Sequence, residues 1–151
     1  MKGKTMAEAK KVVVTDGQDL KEKAKEFKAE GVTDVTVKLN TMNYTRYKES
    51  NDGKELQPVI DGINEAVNQG LHIRLDMSIK EGYNDNEILD LLQLTFLHNY
   101  DIVFMPTMDY DKIKAKMPAL RQIEPKEGED FGEVDFYKYP MGKGRIGFLK
   151  N

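Results

Sequence analysis

His72, Arg74, Asp76 and Ser78 stand at every second position of the run from Leu71 to Ile79, with Leu71, Ile73, Leu75, Met77 and Ile79 between them. An alternation of period two sends the polar set to one face of a β-strand and the apolar set to the other. A second run, Thr33–Asn40, repeats the pattern, with Thr36, Lys38 and Asn40 facing one way and Val35, Val37 and Leu39 the other. Two cations on neighbouring polar faces, Lys38 and Arg74, are suited to holding phosphate or carboxylate. Asp76, Asn40 and Ser78 add a carboxylate and neutral hydrogen-bonding groups. The alternative is that these charges pair with one another, Arg74 or Lys38 with Asp76. A catalytic Lys38 would need burial beside Arg74 to lower its affinity for the proton, and the spacing fixes no such neighbour, so no residue is assigned a catalytic role. His72 lies near the start of its strand and reads as structural, because sites in βα folds gather at the carboxyl ends of the strands. Asn40, Ser78 and Met105 lie nearer that rim.

The elements that would position these residues are legible as punctuation. Lys11–Thr15 is a short apolar strand, and Asp19 with Glu22 reads as a capping box opening a helix that Gly31 stops. After the strand Thr33–Asn40 comes a polar stretch, Thr41–Lys54, with one helical turn around Tyr44–Lys48. Leu56, Val59, Ile60, Ile63 and Val67 then form a helical stripe closed by Gly70. The strand from Leu71 feeds a helix with Ile88, Leu91, Leu92 and Phe96 on one face, its start bracketed by Asn84 and Glu87 as a second capping box. A fourth strand, Asp101–Met105, is stopped by Pro106. Asp109–Met117 carries a short helix, and Ile123–Gly132 is an acidic loop. Val134–Tyr139 and Arg145–Leu149 read as a hairpin around residues 140–144, with Phe136, Tyr137 and Tyr139 stapling it to the sheet.

Alternating strands and helices give βα units and a parallel sheet. Strands with one polar face argue for helices on one side only, since parallel sheets covered on both faces are apolar throughout. The expected fold is an α/β partial (β/α) barrel of about four parallel strands with helices on one side, plus a C-terminal β-hairpin. It forms a single domain over 1–151: a frayed stretch at 1–10, βα units at 11–105, an irregular connection at 106–133 and the hairpin at 134–149.

With 32% charged residues and a formal net charge of −3, nucleic acid and anionic membrane are not expected partners. No apolar run is long enough for a membrane span and no secretion signal opens the chain, so a cytoplasmic location is expected. There is no cysteine and only two histidines, which removes disulfides, thiolate nucleophiles and cysteine-ligated metal centres and leaves no metal site in view.

The stretches VVVTDGQDL, GVTDVTVKLNTMN, PVIDGINEAVNQGLHIRLDMSIKEGYNDNEILDLL, VFMP, IEPKEGEDFGEV and YKYPMGKGRIGFL resemble, in order, the molybdenum-cofactor biosynthesis protein A family. These are radical S-adenosylmethionine (SAM) enzymes that rearrange GTP on a partial (β/α) barrel. The resemblance implies an N-terminal cysteine motif for a catalytic iron–sulfur cluster and a second cysteine motif with an arginine-rich segment near the C-terminus, neither of which these residues contain. It also implies a substrate-contacting threonine where Val14 stands and a SAM-binding serine where Lys38 stands. A GTP-contacting lysine is replaced by Arg74, which keeps the charge but not the geometry. Met105 keeps the methionine near the SAM adenine.

Without thiolates no iron–sulfur cluster is expected, and without a cluster no reductive cleavage of SAM, because the cofactor carries that chemistry. The expected protein is a truncated, cluster-free relative, leaning away from catalysis, that acts as a binding or interaction module. Lys38, Asn40, Arg74, Asp76, Ser78 and Met105 are its ligand-binding candidates, no cofactor is expected, and residual SAM or GTP binding is not expected either. The alternatives are a small non-radical enzyme acting on a phosphorylated metabolite, or half of a split barrel completed by another chain. An exposed sheet edge calls for cover, from a homo-oligomer or a complementary chain.

Overall fold

The computed structural model describes residues 10–126, 129 and 133–150. The stretch expected to fray lies almost entirely outside these residues, as does half of the acidic loop. Thirteen elements follow in order. Strand β1 is Val12–Thr15, helix α1 Leu20–Ala29, β2 Asp34–Leu39, α2 Tyr44–Ser50 and α3 Gln57–Asn68. After β3, His72–Met77, a single 3₁₀ turn at Asp85–Glu87 runs into α4, Ile88–Leu97. Then come β4 Asp101–Phe104, α5 Tyr110–Lys114, β5 Arg121–Ile123, β6 Val134–Lys138 and β7 Arg145–Leu149.

The strands form one seven-stranded sheet in the order β1-β2-β3-β4-β7-β6-β5. The first five in that order run parallel, and β6 and β5 are antiparallel additions. The partial barrel with a C-terminal hairpin is thus present, with two refinements. The hairpin does not stand beside the sheet: its second arm, β7, is a fifth parallel strand laid directly against β4. Arg121–Ile123, expected to lead into a loop, is instead an antiparallel strand on β6.

Alternation decides which face each residue takes. Val35, Val37, Leu39, Ile73, Leu75, Met77, Ile102 and Phe104 are all buried beneath the helices, where Leu20 and Ala24 of α1, Val59 and Ile63 of α3 and Leu91 of α4 complete one core. Burying each such aliphatic side chain contributes about 1.5–3 kcal/mol. Helices α1 and α3 cross closely at Gly62, where an added Cβ would stand 2.7 Å from Leu20 Cβ. Val67, read as part of the α3 stripe, lies outside the core and is exposed. Of the expected aromatic staple only Phe136 packs on a strand outside the hairpin, with Val103 of β4, while Tyr137 meets Phe148 edge-on at 5.4 Å within the hairpin and Tyr139 meets Phe96 of α4 at 5.7 Å.

Neither capping box forms. Asp19 precedes α1 without a side-chain cap hydrogen bond, and Asn84 caps nothing because its side chain is fully engaged elsewhere. The helices are held by their packed faces, which outweigh a cap contribution of about 1 kcal/mol.

Candidate functional site

The face of the sheet away from the helices is open, and its side chains fall in cross-strand rows set by the register. Asp34 lies beside His72; Thr36, Arg74, Asp101 and Arg145 form the next row; Lys38, Asp76 and Val103 the next. Toward β6 the face is closed by a small apolar cluster of Val103, Val134 and Phe136. Toward β1 it ends in two exposed valines, Val12 and Val14. Two cavities occupy this inner face, one at each end of the strands.

The cavity at the amino ends encloses about 440 Å³ and is lined by Lys10, Asp34, His72, Arg74, Asp101 and Glu129, with apolar walls from Val12, Val134 and Phe136. Its charges close into a ring. Arg145, 5% exposed, donates from Nη2 to Asp101 Oδ2 and to Glu129 Oε2, each at 2.7 Å, and its guanidinium lies 3.8 Å over the Phe136 ring. Lys10 Nζ reaches Glu129 at 3.2 Å and Asp34 at 3.9 Å. His72 closes the circuit, with Nδ1 3.2 Å from Asp34 and Nε2 3.7 Å from Asp101. That last separation is too long for a hydrogen bond, so the buried Nε2 has no partner.

The ring sets the ionisation of its members. Burial pushes Glu129 up, but hydrogen bonds from Arg145 and the Lys126 backbone, with the Arg145 charge, outweigh it and hold the carboxyl at about 2. Burial likewise pushes Asp34 up, and hydrogen bonds with His72 and Thr33 and the Lys10 charge bring it below the usual carboxylate range. For Arg145, burial is opposed by hydrogen bonds to Glu129 and Asp101, which hold the guanidinium protonated above its ordinary value. Buried pairs of this kind are costly to leave half-made, and each cation at this cavity is already held by a carboxylate of the chain.

The cavity at the carboxyl ends encloses about 340 Å³ and is lined by Lys38, Leu39, Asn40, Asn51, Asp76, Ser78 and Met105. Five of the six candidates read from the sequence therefore line one rim. Arg74 is the sixth, and it lines the other cavity: its Nε donates to Asp76 Oδ1 at 2.6 Å, so both charges are taken. The two cations do not form one anion clamp. Lys38 is exposed and, among the described residues, makes no ion pair. Ser78 is exposed as well.

Asn84 and Glu87 build this rim. Asn84, buried, donates its amide hydrogens to the Asn40 and Ser78 carbonyls and accepts from the Lys80 backbone at 2.7 Å. Glu87, also buried, accepts from the Thr41 hydroxyl, from Met42 N–H at 2.8 Å and from Arg46 Nη1 at 3.0 Å. The pair that looked like a helix cap instead ties the end of β2 to the end of β3. Asn51 is the rim residue that sequence reading misses. It stands at the carboxyl end of α2, where its amide donates to the Tyr47 carbonyl at 2.8 Å and reaches Asn40 and Ser50.

The fold and its two-ended inner face define an open α/β half-barrel with a polar concave side. No family model matches the chain. It is similar to the curated GTP 3′,8-cyclase of Peptoclostridium acidaminophilum, 30% identical over 154 residues that cover 91% of this chain and 46% of that protein. The GTP 3′,8-cyclase of Alkaliphilus oremlandii is 28% identical over 91% of this chain and 47% of its own length. That of Listeria monocytogenes is 35% identical over 64% and 29%. The chain is therefore related, over nearly its whole length, to the GTP 3′,8-cyclases of molybdenum-cofactor synthesis, and it spans just under half the length of the curated relatives it matches.

An iron–sulfur cluster does not fit the donors present. The 151 residues hold no cysteine, and the described residues bring together no group of three or more His, Asp or Glu side chains able to hold a metal ion. Among the described residues no helix is long and apolar enough to cross a membrane.

Proposed function

We propose that the chain is a non-catalytic binding module that takes an anionic ligand at the carboxyl-end rim. The observation that carries this reading is the contrast in charge pairing: every cation facing the lower cavity has a carboxylate partner, while Lys38 at the rim has none among the described residues. Lys38 supplies a point charge for phosphate or carboxylate. Ser78 and the amides of Asn40 and Asn51 supply hydrogen bonds around it, and Met105 gives an adaptable apolar contact. Inorganic phosphate probes the anion site itself, and GTP, on which the relatives are named for acting, and SAM are tested beside it, although Val14 and Lys38 argue against retention of either. No acid–base pair of opposed character meets at the rim, since Asp76 is neutralised by Arg74, and a transferring or hydrolysing role lacks its second group.

Isothermal titration of the chain with GTP, SAM and inorganic phosphate tests the proposal. Binding of one of them, weakened at least tenfold by Lys38→Ala and unaffected by Lys10→Ala, supports it. Absence of binding by all three, or equal affinity after Lys38→Ala, overturns it.

The same reading includes assembly. The hairpin and β5 cover the β4 side of the sheet, and the β1 side is left for a second chain, of the same or a complementary sequence.

A further inference from the structure

Strand β1 is the edge of the sheet, paired only with β2 among the described residues. The Lys11 carbonyl accepts from the amides of Thr33 and Asp34, and Val12 stands in register with Asp34. It follows that Lys11, Val13 and Thr15 direct their backbone groups toward β2, and that Val12 and Val14 direct both N–H and C=O out of the sheet. The side chains of these same two residues are exposed on the concave face, 51% and 58%. Val13 packs inward against the core. The strand itself contains no charge, proline or glycine, the usual devices that keep such an edge single.

Building on the assembly reading above, we propose that this edge pairs with the same edge of a second copy, antiparallel about a two-fold axis through Val13. The edge is complementary to itself, Lys10 to Asp16 across three valines, which argues for a second copy, and the geometry selects the register. A two-fold axis normal to the sheet keeps the concave faces on one side, so opposed residues must share a face, and the outward amides must meet one another. Three nearby registers satisfy this. Val14 opposite the partner's Val14 would set Val12 against the carboxylate of the partner's Asp16. Val12 opposite the partner's Val12 would set Val14 against the partner's Lys10. With Val13 on the axis, Val12 lies opposite the partner's Val14, twice over. Lys10 then lies opposite the partner's Asp16, also twice. Four backbone hydrogen bonds, a cluster of four valines and two opposite-charge pairs result. Lys10 already contacts Glu129 at 3.2 Å and would share its charge between the two. Strand addition of this type takes its affinity from main-chain bonds and its register from alternate side chains.

The absence of cysteine from the chain makes the register directly readable. Opposed residues that do not exchange hydrogen bonds have Cα atoms about 4.5 Å apart, inside the span a disulfide bridges. Oxidised Val13→Cys is expected to run as a covalent dimer, while Thr15→Cys, opposite the partner's Lys11, and Val14→Cys stay monomeric on denaturing gels. In sedimentation velocity the unmodified chain should double its mass as concentration rises. Val12→Lys with Val14→Lys should remain monomeric with unchanged circular dichroism. Cross-linking through Val14→Cys but not Val13→Cys overturns the register. A dimer that persists in the double-lysine variant overturns the edge and leaves assembly standing. A chain monomeric at every concentration overturns both, and if removing residues 1–9 then produces the dimer, the chain's own N-terminal segment is the occupant.

Discussion

The two ends of the concave face are lined by similar residues and behave oppositely. At the amino ends, Lys10 and Arg145 are each held by carboxylates among Asp34, Asp101 and Glu129, with His72 beside Asp34, around a cavity. At the carboxyl ends, Lys38 stands without an ion-pair partner among the described residues, on a rim fixed from beneath by buried Asn84 and Glu87. Charge on a strand face is therefore not by itself a binding signal. What separates the ends is whether each charge has been answered from within the chain. Arg74 makes the point most sharply: it lies on β3 two residues from Asp76, which lines the rim, yet its bond to Asp76 leaves it at the closed end.

The largest test of this contrast is Arg145→Met. Removing the guanidinium leaves Asp101 and Glu129 buried without their partner, and urea denaturation should show a loss of about 3–5 kcal/mol. A loss below 1 kcal/mol would mean that the ring is decorative. Asn84→Ala should cost about 1 kcal/mol by stripping the hydrogen bonds from the part-buried Asn40 and Ser78 carbonyls. It should also weaken rim binding without changing the spectrum of the folded chain.

Acid titration separates the ends further. Because the folded-state Glu129 pKa is depressed to about 2 from an ordinary 4.5, its contribution to stability is fully present above pH 4.5 and is lost as pH falls toward 2. Asp34, also depressed, adds a loss of the same sign below its ordinary range. Glu129→Gln should flatten the fall in stability between those pH values, and an unchanged slope would remove Glu129 from the ring. The smallest effect belongs to the rim. Lys38→Ala should leave thermal stability within about 0.5 kcal/mol, as expected for an exposed side chain without partners, while abolishing the ligand response.

The strand faces were readable because alternation is a local property: every apolar position of β2 and β3 is buried under the helices, while the opposite face takes the polar residues, of which Thr36 and Asp76 are also buried. The relation to the cyclases was readable from the same stretches, and the comparisons support it. What escaped was long-range. The spacing of Asn84 and Glu87 matches a capping box, but both side chains found partners some forty residues away, at Asn40 and Thr41, and nothing local indicates that competition. The placement of β7 between β4 and β6 is likewise invisible in a hairpin signature, because a hairpin says which strand pairs with which neighbour and not what lies beyond it. The ring was half legible: Asp34 shares the alternation of Thr36 and Lys38, and Arg145 opens an otherwise apolar strand. Its closure required six separate segments, carrying Lys10, Asp34, His72, Asp101, Glu129 and Arg145, to converge. Strand β5, three residues long, carries too little periodicity to be seen.

The position of β7 has a consequence for how the chain is made. Sheet order and chain order part company at this strand: the last of the seven to leave the ribosome is the one that joins β4 to β6. The βα units up to Phe104 can assemble from near neighbours as they emerge, but the β4 edge and the Asp101 carboxylate stay unanswered until Arg145 arrives. Closure of that edge must wait for synthesis to pass residue 149, which places the vulnerable interval between the synthesis of β4 and that of β7. A nascent chain arrested just before residue 145 would present β4 as a second open edge, and this is the stage at which a chaperone would matter most.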